Sequence, residues 1–262
     1  MPETLPEFSF ALADIAQQAG QLVLRHFRRD HAARQKADGS PVTAADEEAE
    51  AFIVSRLASL APEIPVIAEE QMARGKPVVP ARRFFLVDPL DGTEEFIAGR
   101  DEFTVNIALI VDGIPVCGTV VAPARLRAFY GETGRGAFEF AFAAEGAMDP
   151  GTVRPIRARP VPAAGPTVLV SRSHGQGEAE GFAGAASAQV MRVASSLKFG
   201  LIAAGEADVY PRRGPTMEWD TAAGQAVLEA AGGRTETEAG ELLRYGKISA
   251  GLRNPGFTAR GL

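Results

Sequence analysis

Two short apolar runs in this chain each end in carboxylates. Ile64-Pro65-Val66-Ile67-Ala68 leads into Glu69 and Glu70, and Phe84-Phe85-Leu86-Val87 leads into Asp88, with Asp91 three residues on. Clustered carboxylates removed from water repel one another and resist ionisation. A cation makes such a cluster tolerable, and an all-oxygen donor set favours Mg2+, Mn2+ or Ca2+. In Asp88-Pro89-Leu90-Asp91-Gly92-Thr93 the proline fixes the backbone and lacks an N–H, while Gly92 permits φ above zero. That combination can bring Asp88, the Leu90 carbonyl and Asp91 onto one small volume. The spacing does not fit an EF-hand loop. By residue type alone the segment also reads as a plain turn. Thr93 then reads as the cap of a short helix through Glu95 and Phe96.

The elements that must position these groups are legible in outline. Phe8, Leu12, Ile15, Ala19, Leu22 and Val23 recur at helical spacing, which predicts a helix over 8–28. Gln35 to Pro41 reads as a turn or mobile loop. A second helix runs from Ala44 to Leu60 and stops at Pro62. Residues 64–68 read as a strand and 71–83 as a connection. The continuous run 84–87 reads as a buried strand. A meander follows at 103–111, 114–121 and 126–131, with turns at Asp112-Gly113 and Pro123-Ala124. Pro150 to Pro166 connects two layers or half-domains. Beyond it lie a strand at 168–170, a helix at 196–205, a short strand at 208–210, and a helix from Trp219-Asp220 to Gly232-Gly233. Helices mixed with two sheet regions predict a layered α/β or α+β architecture.

The 262 residues suffice for one large domain or two small ones. A net charge of −6 without a basic stripe argues against a nucleic-acid polymer as partner. A small phosphorylated ligand stays compatible, because bound cations reverse the local field. The single cysteine, Cys117, excludes an intramolecular disulfide and fits a reducing compartment. It reads as a buried strand residue. The N-terminal residues show no secretory signal, and no apolar stretch is long enough for a membrane span.

Taken together, several segments resemble the inositol monophosphatase superfamily. They are the hexapeptide 88–93, the preceding Ala68-Glu69-Glu70, and the distant Trp219-Asp220-Thr221-Ala222-Ala223. Its 3'(2'),5'-bisphosphate nucleotidase branch is resembled by Asp38-Gly39-Ser40-Pro41-Val42-Thr43-Ala44-Ala45-Asp46, Phe103-Thr104-Val105-Asn106, Ser171-Arg172-Ser173-His174, Ser195-Ser196-Leu197-Lys198, Gly214-Pro215-Thr216 and Asn254-Pro255-Gly256-Phe257. The resemblance spans about 38–257. It implies a layered α/β/α/β/α fold forming a single phosphatase domain over 1–262. The two halves, about 1–150 and 151–262, would meet at the active site.

The resemblance further implies two or three Mg2+ ions. Glu69, Asp88 and the Leu90 carbonyl would hold the first, and Asp88, Asp91 and Asp220 the second. Asp220 opens a helix, whose positive end would help hold phosphate. As a plain residue it reads as a first-turn aspartate favoured by the dipole. Glu69 and Thr93 would orient and deprotonate a metal-activated water, with Asp46 polarising Thr93. Thr43 to Asp46 reads equally as a capping box. Substrate would meet Asp91, Gly92, Thr93, Ser171, His174, Ser196, Lys198 and Asp220. By type alone, Lys198 and His174 read as solvated residues, and Arg212-Arg213 as surface.

The implied activity is hydrolysis of the 3'-phosphate of adenosine 3',5'-bisphosphate, with 3'-phosphoadenosine 5'-phosphosulfate as a related substrate. Lithium sensitivity, a cytoplasmic setting and compatibility with peripheral membrane association go with it. Two alternatives stand beside this reading: a phosphatase for inositol monophosphate or another sugar phosphate, and a non-catalytic metal-dependent binding protein. Ala194 stands where the branch usually has glycine, and its methyl group bears on the base pocket.

Overall fold

The computed structural model describes residues 7–28, 33–36, 39–78, 81–172 and 188–262. Helix α1 (Glu7–Phe27) buries Leu12, Ile15, Ala16, Ala19 and Val23 on one face. Two short strands, β1 (Arg34–Gln35) and β2 (Pro41–Val42), pair antiparallel where the sequence reads only as a loop. Their contact is too short to leave a periodic signal. Helix α2 (Ala44–Leu60) starts at the Thr43 cap and ends before Pro62, as the sequence predicts.

Strand β3 (Val66–Ala68) runs directly into the short helix α3 (Glu69–Ala73), which starts at the two carboxylates and reaches into the stretch 71–83 read as a connection. Then come β4 (Arg83–Asp91), α4 (Thr93–Ile97), β5 (Thr104–Val111), β6 (Ile114–Ala122), β7 (Arg127–Glu132), β8 (Gly136–Ala141) and β9 (Arg154–Ile156). Strands β3 to β9 form one seven-stranded sheet in sequence order, with only β3 and β4 parallel.

The second half contributes β10 (Thr167–Ser171), β11 (Gln189–Val193), α5 (Leu197–Ala203), β12 (Val209–Arg212), β13 (Thr216–Met217), α6 (Glu218–Ala230), β14 (Arg234–Thr237), β15 (Arg253–Asn254) and β16 (Phe257–Arg260). Five of these strands form a second sheet in the order β11-β10-β12-β16-β14.

Alternation along β4 assigns its two faces. Phe85 and Val87 join the core under α1 and α2, while Phe84 and Leu86 join a second core with α5, α6 and the five-stranded sheet. The described residues therefore stack as helices, sheet, helices, sheet, consistent with the layered architecture expected. Helix α6 lies very close to the large sheet. A Cβ on Gly118 would stand 2.6 Å from the Ala223 carbonyl oxygen, and one on Gly131 would stand 2.5 Å from the Val227 Cα. This close seating sets where the first turn of α6, with Asp220, meets the ends of β4 and β5. No described helix is long and apolar enough to cross a membrane. Cys117 is buried on β6, as expected.

Candidate active site

The Asp88 to Asp91 segment is not a turn. It continues β4, pairing Asp88 with Asn106 and Asp91 with Thr104 across a register shift. This bulge re-aims the strand end. Asp88 is buried, and its Oδ1 accepts from the Leu90 amide at 3.0 Å. Gly92 then takes φ 94°, and a Cβ there would sit 3.1 Å from the Glu102 carbonyl oxygen. Thr93 is the first residue of α4 and does not cap it. Its hydroxyl points inward instead, 3.2 Å from Asp46 Oδ1 and 3.1 Å from the Leu90 carbonyl oxygen.

Asp46 meets both sequence readings at once. Its Oδ2 accepts from the Thr43 amide at 2.8 Å, completing the capping box of α2, while Oδ1 faces Thr93. Burial pushes its pKa up, and the hydrogen bonds from Thr43 work against that rise.

Glu69 opens α3 beside a cation that sequence reasoning passed over. Lys36 Nζ lies 2.6 Å from both Glu69 Oε1 and Glu70 Oε1, with its side chain only 8% exposed. Burial opposes the Lys36 charge, but Glu69 and Glu70 outweigh it and hold its pKa above the usual lysine range. Burial pushes Glu69 up to about 7, against the pull of Lys36. The amides of Glu70 and Gln71, at the start of α3, donate to Glu50 Oε2 at 2.6 and 3.4 Å. Glu50 thus supplies from α2 the cap that α3 lacks locally. A lysine in a polar loop and a glutamate four residues after Asp46 carry no motif of their own, so only tertiary contact reveals them.

Asp220 is the third residue of α6, and its Oδ2 accepts from the Met217 amide at 2.8 Å. The first turn is clamped from below. Glu218 accepts from the Gly246 and Lys247 amides at 2.7 and 2.8 Å, and Asn254 Nδ2 donates to Thr216, Met217 and Thr221. These contacts account for the Asn254-Pro255 motif. Asp91 Oδ2 accepts from the Ser196 amide and hydroxyl, and the Ser196 hydroxyl also contacts the Asp220 carbonyl oxygen.

Part of this set opens onto one cavity of about 320 Å3, while Asp88 and Asp46 are buried and do not line it. Glu69, Asp91, Gly92, Thr93 and Asp220 line it together with Ser171, Ala194, Ser195, Ser196, Lys198, Tyr210 and Arg212. The expected residues Ser171, Ser196 and Lys198 are therefore brought together with the carboxylates. His174 lies outside the described residues. Lys198 is not solvated: it is buried, its Nζ donates to the carbonyl oxygens of Ser195 (2.6 Å) and Val193 (3.2 Å), and it stands 4.8 Å over the Tyr210 ring. Arg212 corrects the surface reading. It is buried at the end of β12 and lines the cavity, while Arg213 is exposed. Arg212 is the last residue of β12 and Arg213 already lies beyond it, a boundary that composition alone does not show.

The donor chemistry suits a hard divalent cation. Burial raises the pKa values of Asp88, Asp91 and Asp220. Repulsion from Glu69, Asp91 and Asp220 adds to the rise at Asp88, and repulsion from Asp91 and Glu69 adds to it at Asp220. Mutual repulsion of this kind is what a bound cation relieves. As the side chains lie, no three Asp, Glu, His or Cys groups among the described residues close around an ion. Glu69 is turned to Lys36, Asp91 to Ser196 and Asp220 to the Met217 amide.

A model of the inositol monophosphatase family matches residues 5–259. The chain belongs to the inositol monophosphatase family. Members of this family are metal-dependent phosphatases, typically with Mg2+. The 3'(2'),5'-bisphosphate nucleotidase CysQ of Salmonella typhimurium is 40% identical over 249 residues, covering 94% of this chain and 96% of that protein. The protein of the same name from Escherichia coli (strain K12) is 39% identical with the same coverage. Among solved structures, CysQ from Bacteroides thetaiotaomicron, a bacterial member of the family, superposes with a TM-score of 0.79 at 33% identity, over 97% of this chain and 96% of that one. An inositol monophosphatase from Anabaena (Nostoc) sp. PCC 7120 shares the fold, with a TM-score of 0.73 at 24% identity, over 97% of this chain and 90% of that one. The layered fold and the family read from residues 38–257 agree with these comparisons.

Proposed function

We propose that this chain is a Mg2+-dependent phosphomonoesterase that removes the 3'-phosphate of adenosine 3',5'-bisphosphate, and that 3'-phosphoadenosine 5'-phosphosulfate is a second substrate. The observation that carries the reading is the shared cavity. Its lining combines carboxylates suited to a cation with a buried lysine and arginine and serine hydroxyls. A diphosphorylated nucleoside needs both. The likeness to the bisphosphate nucleotidases named CysQ supports this substrate over an inositol phosphate.

In this reading the halves 1–150 and 151–262 make a single domain and meet at the site. Glu69, Asp88 and the Leu90 carbonyl would hold one ion, and Asp88, Asp91 and Asp220 would hold a second. Bound Mg2+ supplies hydroxide at neutral pH and neutralises charge on the leaving oxygen. The chain's own residues orient the reaction. Thr93 donates its hydroxyl hydrogen bond to Asp46, which leaves its lone pairs free to accept from the attacking water. Glu69 takes the remaining proton. The amide dipoles at the start of α6 favour the phosphate beside Asp220. Ser171, Ser196, Lys198 and Arg212 face the rest of the nucleotide. A single buried thiol, Cys117, is compatible with the cytoplasmic setting of this reading.

The deciding experiment is phosphate release from adenosine 3',5'-bisphosphate and from inositol 1-phosphate, each with Mg2+ and with chelator. Faster turnover of the nucleotide, lost on chelation, is expected. Faster turnover of inositol 1-phosphate overturns the substrate, and Mg2+-independent turnover overturns the mechanism.

A further inference from the structure

We infer that Glu102, which stands outside the catalytic motifs, is a positioning residue that holds the 194–196 loop in the shape the nucleotide meets. The inference rests on the substrate reading above and deepens it.

Glu102 lies between α4 and β5, two residues before the Thr104 that pairs with Asp91. Its side chain is only 7% exposed. Both oxygens are fully engaged. Oε2 accepts from the Ala194 amide at 3.0 Å and from Arg172 Nε at 2.9 Å. Oε1 accepts from Arg172 Nη2 and from Arg125 Nη2, each at 2.9 Å. Four charge-assisted or amide donors from three separate segments converge on one carboxylate. Arg172 follows Ser171, and its Nη2 also donates to the Arg192 carbonyl oxygen at 3.0 Å. Glu102 thereby ties the seven-stranded sheet to the ends of β10 and β11.

The consequence falls on three residues. Ala194 is held at its amide by Glu102, and Ser196 is held at its amide by Asp91. Between the two anchors Ser195 adopts φ 54°, a left-handed conformation that its Cβ disfavours. This bend aims the Ser195 carbonyl oxygen at Lys198 Nζ, 2.6 Å away. Ala194, Ser195, Ser196 and Lys198 all line the cavity. A non-glycine residue stays in this conformation when its surroundings hold it there. Glu102 supplies one of the two holds, and its carboxylate bonds to Arg125, Arg172 and the Ala194 amide rather than to the residues around Glu69, Asp88 and Asp220. Losing it should loosen recognition of the nucleoside and spare the hydrolytic step.

The experiment compares wild type with Glu102→Leu, which keeps most of the volume and removes both acceptor oxygens, the one that holds the Ala194 amide included. KM and kcat are measured for adenosine 3',5'-bisphosphate and for p-nitrophenyl phosphate, which has no nucleoside. Amide hydrogen exchange is followed over 193–197. Expected are a nucleotide KM raised about tenfold with kcat within about threefold, and a p-nitrophenyl phosphate KM within about twofold, the range typical of losing a supporting hydrogen-bond partner. An unchanged nucleotide KM, or an equal rise for both esters, overturns the inference. A wild type that releases no phosphate from the nucleotide overturns the proposed substrate instead. The loop claim is then decided by exchange: about tenfold faster exchange at Ala194 in the variant, as for a lost amide partner, supports it, and unchanged exchange overturns it.

Discussion

The Asp91 carboxylate accepts from the amide of Ser196 at 2.6 Å and from its hydroxyl at 2.8 Å, across 105 residues of sequence. One oxygen of the hexapeptide motif is thus bound to the loop that faces substrate. The same serine hydroxyl receives Asn106 Nδ2 at 3.0 Å and reaches the Asp220 backbone. Carboxylates from β4 and α6 are therefore registered against each other through a residue of neither motif.

That junction separates two roles for Asp91. Asp91→Asn keeps an acceptor oxygen for Ser196 and lowers the charge offered to a cation. Mg2+-dependent phosphate release should fall by more than the roughly 10- to 100-fold expected when Ser196→Ala removes only a supporting hydrogen bond. Mg2+ should also raise the thermal midpoint of wild type and not that of Asp91→Asn. Equal activity of wild type and Asp91→Asn, in a steady-state assay with Mg2+, speaks against Asp91 as a ligand.

Lys198 offers a test of the cavity lining that faces the nucleotide. Its ammonium is buried against two carbonyl oxygens and the face of Tyr210. Lys198→Met fills the same space without charge or donors. Hydrogen bonds to charged groups contribute about 1.5–3 kcal/mol, so the nucleotide KM should rise roughly 10- to 100-fold. A KM equal to wild type would remove Lys198 from the recognition surface.

Glu50 makes stability depend on pH. Burial pushes its carboxyl up to about 7 from an ordinary 4.5. A group raised in the folded state contributes stability that is complete below its unfolded pKa and is lost as pH climbs through the folded one. Between about pH 4.5 and 7 the folded protein should therefore lose stability through Glu50. Glu50→Gln can still accept from the Glu70 and Gln71 amides and does not titrate. Urea unfolding at a series of pH values should show a flatter decline for the variant over that window, and an identical decline would exclude Glu50 as its source.

The seating of α6 predicts a steric limit. In Gly118→Ala the new methyl group would stand 2.6 Å from the Ala223 carbonyl oxygen and 2.8 Å from the Ala226 Cβ. Overpacking of this kind costs about 1–3 kcal/mol. Differential scanning calorimetry should show a fall of roughly 2–4 °C for each kcal/mol. An unchanged midpoint would mean that α6 shifts freely away from the sheet.

Periodicity and local chemistry determined most of the elements. The helix from Ala44 to Leu60, the antiparallel meander after Asp91 and the helix ending at Gly232-Gly233 depend on spacing, caps and breakers that a linear chain displays. The motif residues Glu69, Asp88, Asp91 and Asp220, together with their company, also sufficed to indicate the family. Tertiary structure alone decided three further matters. It carried Asp88-Pro89-Leu90-Asp91 along the bulged end of a strand, where local propensity reads a turn, because pairing with Asn106 and Thr104 outweighs that propensity. It buried Lys36 beside Glu69 and Arg212 in the cavity wall, since which charged side chain finds a distant partner depends on packing across the chain. It also joined Glu102, Arg172 and Ala194 into one network. Hydrogen bonds between residues 70 and 92 positions apart leave no spacing to read, and they exist only once the two sheets are brought together.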